Sequence, residues 1–292
     1  HGEFLMRHLS RPTSPSGKPY DAGYVFNKCV KKQKNVIVWR DKIAHLEDEV
    51  RSSSLDYDSK AQEQRLHEIE PVSAYGDVSS SDLIKVYSLR MAKAGAPGRD
   101  IYDDIMGIPE YGICPMCGIG VVNTLDHFLP KTKFPIFSVS PSNLVPVCLW
   151  CQHAKGTKFA TKQEDQILHP YFDKLDNEIW LKAKIPNKRP IAFMFSASPP
   201  EDWGLLIRER LKAHIKRLEL QTLFASNAGS HFCTLRRHLS ALFKKGGKYE
   251  IRSYMREQLK YLEAVQLNTW KTAMYRAIIE NDSFCNGGFM EE

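Results

Sequence analysis

Long apolar runs are missing from this sequence of 292 residues, in which no stretch approaches the roughly 18 residues needed to span a bilayer. No secretory signal segment is visible. Cysteine is sparse outside two close pairs, and Cys29, Cys233 and Cys285 are too scattered to suggest a disulfide framework. We therefore expect a protein without a membrane anchor, suited to a reducing cytoplasm. The chain is long enough to bury a sizeable core in one to three domains.

Acidic residues are in the minority, with 34 Asp and Glu against 41 Lys and Arg, a formal net charge of +7. This balance makes a polyanionic partner plausible. The excess lies in residues 202–280, where we count 15 Lys and Arg against 7 Asp and Glu. The region is either a surface for a nucleic-acid backbone or a partner-docking domain with solvated lysines. Its candidate backbone-binding residues are Arg208, Arg210, Lys212, Lys216, Arg217, Arg236, Arg237, Lys244, Lys245 and Lys248.

Two C-x-x-C pairs, Cys114/Cys117 and Cys148/Cys151, are the strongest chemical signal in the sequence. Each tight turn presents two thiolates to one metal, so the four cysteines predict a tetrahedral zinc site. Four thiolates leave zinc no open position, and such a zinc ion is therefore structural. A plain zinc ribbon needs only these cysteines, whereas this segment also carries polar residues between the pairs.

Asp126 and His127 lie between the cysteine pairs and suit phosphodiester hydrolysis, which needs a base for water and a metal for the transition state. Imidazole titrates near neutrality, which suits His127 to the base. A carboxylate suits Asp126 to bind Mg²⁺ or Mn²⁺. The motifs LDH (125–127), NLVPVC (143–148) and CQHAKG (151–156) resemble the HNH endonucleases, which have the ββα-metal fold.

The resemblance implies that Asn143 hydrogen-bonds across the ββ loop and fixes His127. The family's last signature residue is an Asn or His directly after the second C-x-x-C, where this sequence has Gln152. The Gln152 carbonyl can still reach the metal, or His153 can replace it; a degenerate site is the alternative. Cations expected to meet a phosphate backbone near the site are Lys131, Lys133, Lys155 and Lys158.

The runs LDHFLPKTKFP and MRHLSRP also resemble the HNH subunit of Septu-type and retron-associated antiphage defence systems. In those systems the nuclease works with an ATPase, so the resemblance implies a phage-defence role and an ATPase partner subunit. A single ββα unit holds one base and one metal and cuts one strand per event. We therefore also expect an oligomer or a larger complex.

Four regions are expected along the chain. Residues 1–19 combine a tag or cloning remnant (HGEFL) with an extended arm rich in Pro, Ser and Gly. Residues 20–108 form a helical domain for scaffolding or partner binding, and residues 109–175 form the nuclease unit. Residues 176–292 form a hairpin followed by a basic helical domain.

Local patterns predict several elements within these regions. Ser79–Ser81 offer N-caps for a helix, and a second short helix follows. A first strand over 118–126, a second over 144–147 and a helix from about Leu149 build the nuclease unit, and 179–185 pairs with 190–196 in a hairpin. Ser52–Glu70 reads as a solvent-exposed helix or a mobile connection.

The expected fold is therefore α+β, with mainly helical N- and C-terminal regions flanking a small zinc-supported ββα-metal unit. The expected function is a metal-dependent HNH endonuclease acting on DNA. RNA, for instance transfer RNA, is an alternative substrate, since water rather than the 2′-hydroxyl attacks. A catalytically degenerate, zinc-supported nucleic-acid-binding or adaptor module is the alternative from another class.

Overall fold

The computed structural model describes residues 8–30, 41–175 and 178–290. The chain divides into two compact units, Arg7–Lys174 and Leu175–Glu292. Both units combine helices with pairs of short antiparallel strands, so the fold is α+β as predicted. The expected cloning remnant at the start of the chain lies outside the described residues. No helix within the described ranges is long and apolar enough to cross a bilayer.

Helices make up most of the first unit before its cysteine-rich segment. The helix over Glu47–Gln62 covers much of Ser52–Glu70, the stretch predicted to be exposed or mobile, yet it is a core helix. Its residues Val50, Ser54 and Tyr57 are buried and share one face, because they are spaced by four and three positions. The α-helices described here are α1 (Ala22–Val30), α2 (Glu47–Gln62), α3 (Ser80–Arg90) and α4 (Arg99–Met106).

Helix α3 begins at a predicted N-cap. A small hairpin of β1 (Ala74–Tyr75) and β2 (Val78–Ser79) leads into it. The Ser79 hydroxyl accepts from the Asp82 backbone N–H at 3.3 Å, and the Asp82 carboxylate accepts from the Ser79 N–H at 3.2 Å. This capping box fixes the start of a helix that packs on the candidate site.

The centre of the first unit is a strand pair followed directly by a helix. Strands β3 (Thr124–His127) and β4 (Leu144–Val147) are antiparallel, with Asp126 opposite Val145. Helix α5 (Leu149–Lys155) begins two residues after β4. The predicted second strand and helix start are confirmed. The first strand is shorter than predicted, because the residues before it form the turn around the first cysteine pair.

Residues 8–20 form an arm that lies against its own unit. The Leu9 N–H donates to the Pro170 carbonyl at 2.8 Å, and the Leu9 side chain is buried. Arg11 forms an ion pair with Asp58. The sequence predicts an extended arm, and the structure places it on the unit instead of in solvent, because Leu9 finds an apolar site and Arg11 a carboxylate.

A hairpin and helices build the second unit. Asn268 joins the first strand to the last helix: its Oδ1 accepts from the N–H groups of Trp180 (2.5 Å) and Leu181 (3.0 Å), and its Nδ2 donates to the Glu178 carbonyl. The predicted hairpin is confirmed. The elements are β5 (Leu181–Lys184), β6 (Met194–Ala197), α6 (Leu205–Arg217), α7 (Leu220–Val265) and α8 (Trp270–Glu280).

Helix α7 is 46 residues long and is kinked at Gly246 and Gly247. Gly247 has φ 63° and ψ −148°, a backbone conformation that side chains with a Cβ rarely adopt. The glycine pair therefore marks a kink inside α7 and not the end of the helix. Arg210 of α6 is 0% exposed. It belongs to the interior, which corrects its assignment to the basic surface.

Candidate functional site

Four cysteine sulfurs meet in the first unit. The Sγ atoms of Cys114, Cys117, Cys148 and Cys151 all lie within 4.8 Å of one another, and all four residues are buried. The sulfurs of Cys117 and Cys148 are 3.8 Å apart. Zinc–sulfur bonds of about 2.3 Å in a tetrahedron place the sulfurs about 3.8 Å from one another. The set therefore fits zinc in chemistry and in size.

Backbone hydrogen bonds shape the turn around the first cysteine pair. The Gly118 N–H donates to the Cys114 carbonyl, and the Cys114 N–H donates to the Gly120 carbonyl, both at 2.8 Å. The Gly120 N–H donates to Cys117 Sγ at 3.4 Å. A Cβ on Gly120 would lie 2.6 Å from Cys148 Sγ, so the close approach of the two turns requires glycine there.

Asn143 clamps the loop between β3 and β4. Its side chain is 0% exposed; Oδ1 accepts from the Leu129 N–H at 2.7 Å, and Nδ2 donates to the carbonyls of Leu129 (3.1 Å) and Phe137 (3.2 Å). Its own carbonyl accepts from the Phe128 N–H at 2.8 Å. These bonds cross the loop and hold the chain directly after His127.

His127, the last residue of β3, is 3% exposed. Its Nε2 lies 2.9 Å from the Ser138 carbonyl. A carbonyl only accepts, so Nε2 carries the proton and Nδ1 keeps its lone pair. Tyr87 packs edge-on against the ring, with centroids 4.4 Å apart. Burial lowers the pKa of His127 to about 3, and the charge of Lys131 acts in the same direction, so the ring is neutral and does not titrate near neutrality as the sequence predicts.

Asp126 faces a buried ammonium group. Lys155 Nζ lies 2.9 Å from Asp126 Oδ2 and donates to the His127 carbonyl at 2.7 Å. Lys155 is itself only 3% exposed, so the structure corrects its predicted place on a phosphate-binding surface. It is directed inward because α5 packs this side against the end of β3. Lys155 therefore ties α5 to the candidate base and neutralises the neighbouring carboxylate.

Lys155 also identifies the side of α5 that meets the candidate site. Gln152 lies three residues earlier, on the same side of the helix, and is half-buried. His153 lies two residues before Lys155, projects from the opposite side, and is exposed. The helix thus places Gln152 on the same side as Lys155, whereas the alternative in which His153 replaces the signature residue would use an exposed side chain on the opposite side.

The remaining predicted cations divide into two kinds. Lys131 is half-buried, with Nζ 5.0 Å from the centre of the Tyr87 ring. Burial lowers the pKa of Lys131, while the Asp126 carboxylate opposes this effect. Lys131 therefore belongs to the cluster around Asp126. Lys133 and Lys158 are exposed on the surface.

His169 is buried in an aromatic cluster of the first unit. Its Nδ1 accepts from the Tyr171 N–H at 3.2 Å, so Nε2 carries the proton and donates to the Tyr57 hydroxyl at 3.0 Å. The rings of Phe128 and Phe172 lie 4.1 and 4.8 Å from its centroid. Both ring nitrogens are engaged, which leaves this histidine no lone pair for acid–base chemistry.

Three residues that contribute to the site are hard to identify from the sequence alone. Tyr87 follows the apolar spacing of α3, which predicts burial without naming its partner. Ser138 acts through its backbone carbonyl, which any residue supplies. The inward side chain of Lys155 had an available signal, because it lies four residues after the metal-facing Cys151 and so shares its side of the helix.

Fold and site together define an α+β protein with a buried four-cysteine cluster that could hold a metal such as zinc, beside a polar cluster on a strand pair and helix. The chain belongs to the family of protein ea31 of Escherichia phage lambda. It is 31% identical to ea31 over 238 residues, which cover 76% of this chain and 80% of ea31. No protein-family model matches the chain, and no solved structure matches it.

Proposed function

We propose that this protein is a metal-dependent endonuclease of the HNH type that hydrolyses phosphodiester bonds in DNA. The observation that supports it most is a neutral His127 whose Nδ1 lone pair is available, next to Asp126 at the end of β3. A hydrolytic base needs such a lone pair. A phosphate substrate needs positive charge close by, and Lys131, half-buried beside Asp126, supplies it.

Each residue has a defined task in this proposal. His127 accepts a proton from the attacking water at Nδ1, while its Nε2–H stays on the Ser138 carbonyl and keeps the ring oriented. Asn143 holds the following loop so that this orientation persists. Lys131 offsets the negative charge of the phosphate.

A divalent ion such as Mg²⁺ or Mn²⁺ would stabilise charge developing on the phosphate and the leaving oxygen. Asp126 and Gln152 would hold it, because both offer the oxygen donors that these ions prefer. Lys155 already pairs with Asp126, so this carboxylate must be shared with the ion or released to it. The four cysteines would hold a structural zinc ion, which would fix the start of α5 directly after β4.

Plasmid nicking with Mg²⁺ or Mn²⁺ tests the proposal. His127→Ala should lose activity by at least about 100-fold, the lower end of what a general base contributes, and EDTA should abolish it. His153→Ala is the matched control, since it removes an exposed histidine beside the site, and it should nick like the wild type. Equal nicking by His127→Ala and wild type would overturn the assignment. Parallel reactions with duplex DNA and transfer RNA decide between the two substrates.

One observation favours a second candidate, a catalytically degenerate nucleic-acid-binding or adaptor module. Gln152 occupies the position of a family Asn or His, and Asp126 is already paired with Lys155. This candidate predicts nucleic-acid binding without turnover, unaltered by His127→Ala. If the wild type is inactive, Gln152→Asn distinguishes a site that glutamine disables from a missing activator, because only the disabled site is rescued in the isolated protein.

The resemblance to defence-system nucleases supports a wider proposal, in which the protein is an antiphage effector that acts with an ATPase subunit. A single base and a single metal site cut one strand, which supports an oligomer or larger complex. Mass measurement of the protein purified with the products of its neighbouring genes tests this. A stable monomer that captures no ATPase would count against it.

A further inference from the structure

Helix α7 carries an exposed basic face around its kink. From Leu220 to Tyr249 the helix contains no acidic residue. We define the elbow face as the exposed or half-exposed cations and tyrosine that lie between residues 237 and 249, before and after Gly246 and Gly247. Its members are Arg237, Lys244, Lys245, Lys248 and Tyr249.

The cations of the elbow face are available to a ligand. In the part of the chain that the structure describes, Arg237, Lys244 and Lys248 have no carboxylate within ion-pair distance. Lys245 lies 3.6 Å from Glu250, but both side chains are exposed, and such a surface pair contributes little. Arg236 is left out because it donates to the Met290 carbonyl at 3.1 Å.

The spacing of these cations suits a chain of phosphates. Arg237 and Lys244 are seven residues apart and lie on one side of the helix, roughly 10 Å from each other along its axis. Lys245 follows Lys244 directly, and Lys248 comes just after the kink. Several positive charges therefore follow one another along the helix, which is what a polyanion requires.

Tyr249 indicates which polyanion fits. Its side chain is 76% exposed, and the Lys248 ammonium lies 5.8 Å from its ring centroid. An aromatic ring among cations is the arrangement on which unpaired bases stack while their phosphates are neutralised. A duplex or an acidic protein would use the cations and would gain little from the ring.

We propose that the elbow face binds single-stranded nucleic acid, with phosphates on Arg237, Lys244, Lys245 and Lys248 and a base stacked on Tyr249. The inference deepens the proposed nuclease function, on which it rests, by naming the form of nucleic acid that this unit holds. Binding is measured without catalysis, so the two proposals can fail separately.

Fluorescence anisotropy of the full chain with a labelled 20-nucleotide oligo-dT, in magnesium-free buffer, tests the proposal. The triple variant Lys244→Gln/Lys245→Gln/Lys248→Gln should weaken binding at least about tenfold and reduce the salt dependence, by about 0.7 in logarithmic slope for each lost contact. Its matched control is Lys182→Gln/Lys184→Gln/Lys260→Gln, which removes three exposed lysines elsewhere in the same unit. Equal weakening by both triples would overturn the assignment.

Substitutions of Tyr249 separate stacking from charge. Tyr249→Ala should weaken oligo-dT binding about tenfold, and Tyr249→Phe should bind like the wild type. Tyr261→Ala is the control, because Tyr261 is also exposed (62%) and lies outside the elbow face. An unchanged affinity in Tyr249→Ala, tighter binding of a 20-base-pair duplex, or displacement of oligo-dT by polyglutamate at equal charge would each overturn the single-strand assignment.

Nicking by the same variants keeps the two proposals apart. Activity that depends on His127, with oligo-dT binding indifferent to the elbow face, would sink this inference and leave the nuclease standing. Binding that depends on the elbow face in a protein that never nicks would do the reverse.

Discussion

Replacing Asn143 with alanine removes three hydrogen bonds from a fully buried side chain. The change leaves the N–H and carbonyl of Leu129 without this partner, while the Phe137 carbonyl keeps its bond from the Ser140 N–H. A typical bond contributes about 1 kcal/mol net, and a buried polar group left unpaired costs about 1–3 kcal/mol. We therefore expect Asn143→Ala to destabilise the first unit by roughly 3–5 kcal/mol.

Hydrogen exchange measured by mass spectrometry in a urea series gives this free energy for peptides from β3 and β4 alone. Ser138→Ala is the matched control: Ser138 is equally buried in the same loop, but its hydroxyl makes one bond, to the Leu83 carbonyl at 2.9 Å. That control should cost about 1 kcal/mol. If Asn143→Ala lowers the free energy of unfolding no more than Ser138→Ala does, the hydrogen bonds of the Asn143 side chain do not stabilise this loop.

Three further changes test other parts of the molecule. Lys155→Met combined with Asp126→Asn should cost less than the two single changes together, by roughly 1–3 kcal/mol, because each single change leaves the buried Lys155 or the partly buried Asp126 without its partner; additive costs in the same exchange experiment would contradict a coupled pair. Gly120→Ala should weaken zinc binding roughly tenfold in chelator competition, since its Cβ would lie 2.6 Å from a cysteine sulfur. Gly247→Ala should destabilise α7 by about 1–3 kcal/mol, whereas Gly229→Ala, in open space on the same helix, should stabilise it by about 0.5–1 kcal/mol. Thermal unfolding compares the last two, and the same sign for both would show that the backbone at the kink is not constrained.

The parts of the fold that were predictable are those that short-range chemistry determines. Two C-x-x-C turns present their sulfurs whatever surrounds them, and the four cysteines do meet. The Ser79 cap of α3 depends on residues three apart, and strand 144–147 is a short apolar run between turn residues. Each of these patterns lies within one element or one turn.

The features that could not be predicted depend on which surfaces of the elements pack against one another. Helix α2 is polar in composition, and only its packing shows that Ser54 and Tyr57 face the core. Lys155 is a surface residue by type, yet a carboxylate and a carbonyl on β3 make its burial favourable. The neutral state of His127 likewise follows from its burial, to which Tyr87 contributes from a distant part of the sequence, and from the charge of Lys131.

The hydrogen bond between Leu9 and Pro170 has a topological consequence for the first unit. The chain enters and leaves this unit at adjacent points, because Leu9 and Pro170, which are 161 positions apart in the sequence, are joined by a hydrogen bond of 2.8 Å. A domain with adjacent ends can be circularly permuted or inserted into a host protein, because a short linker closes the old ends without strain. The first unit is thus suited to circular permutation or to insertion into a host protein. New termini in the exposed turn after α2, near Glu63, would leave the four-cysteine cluster intact.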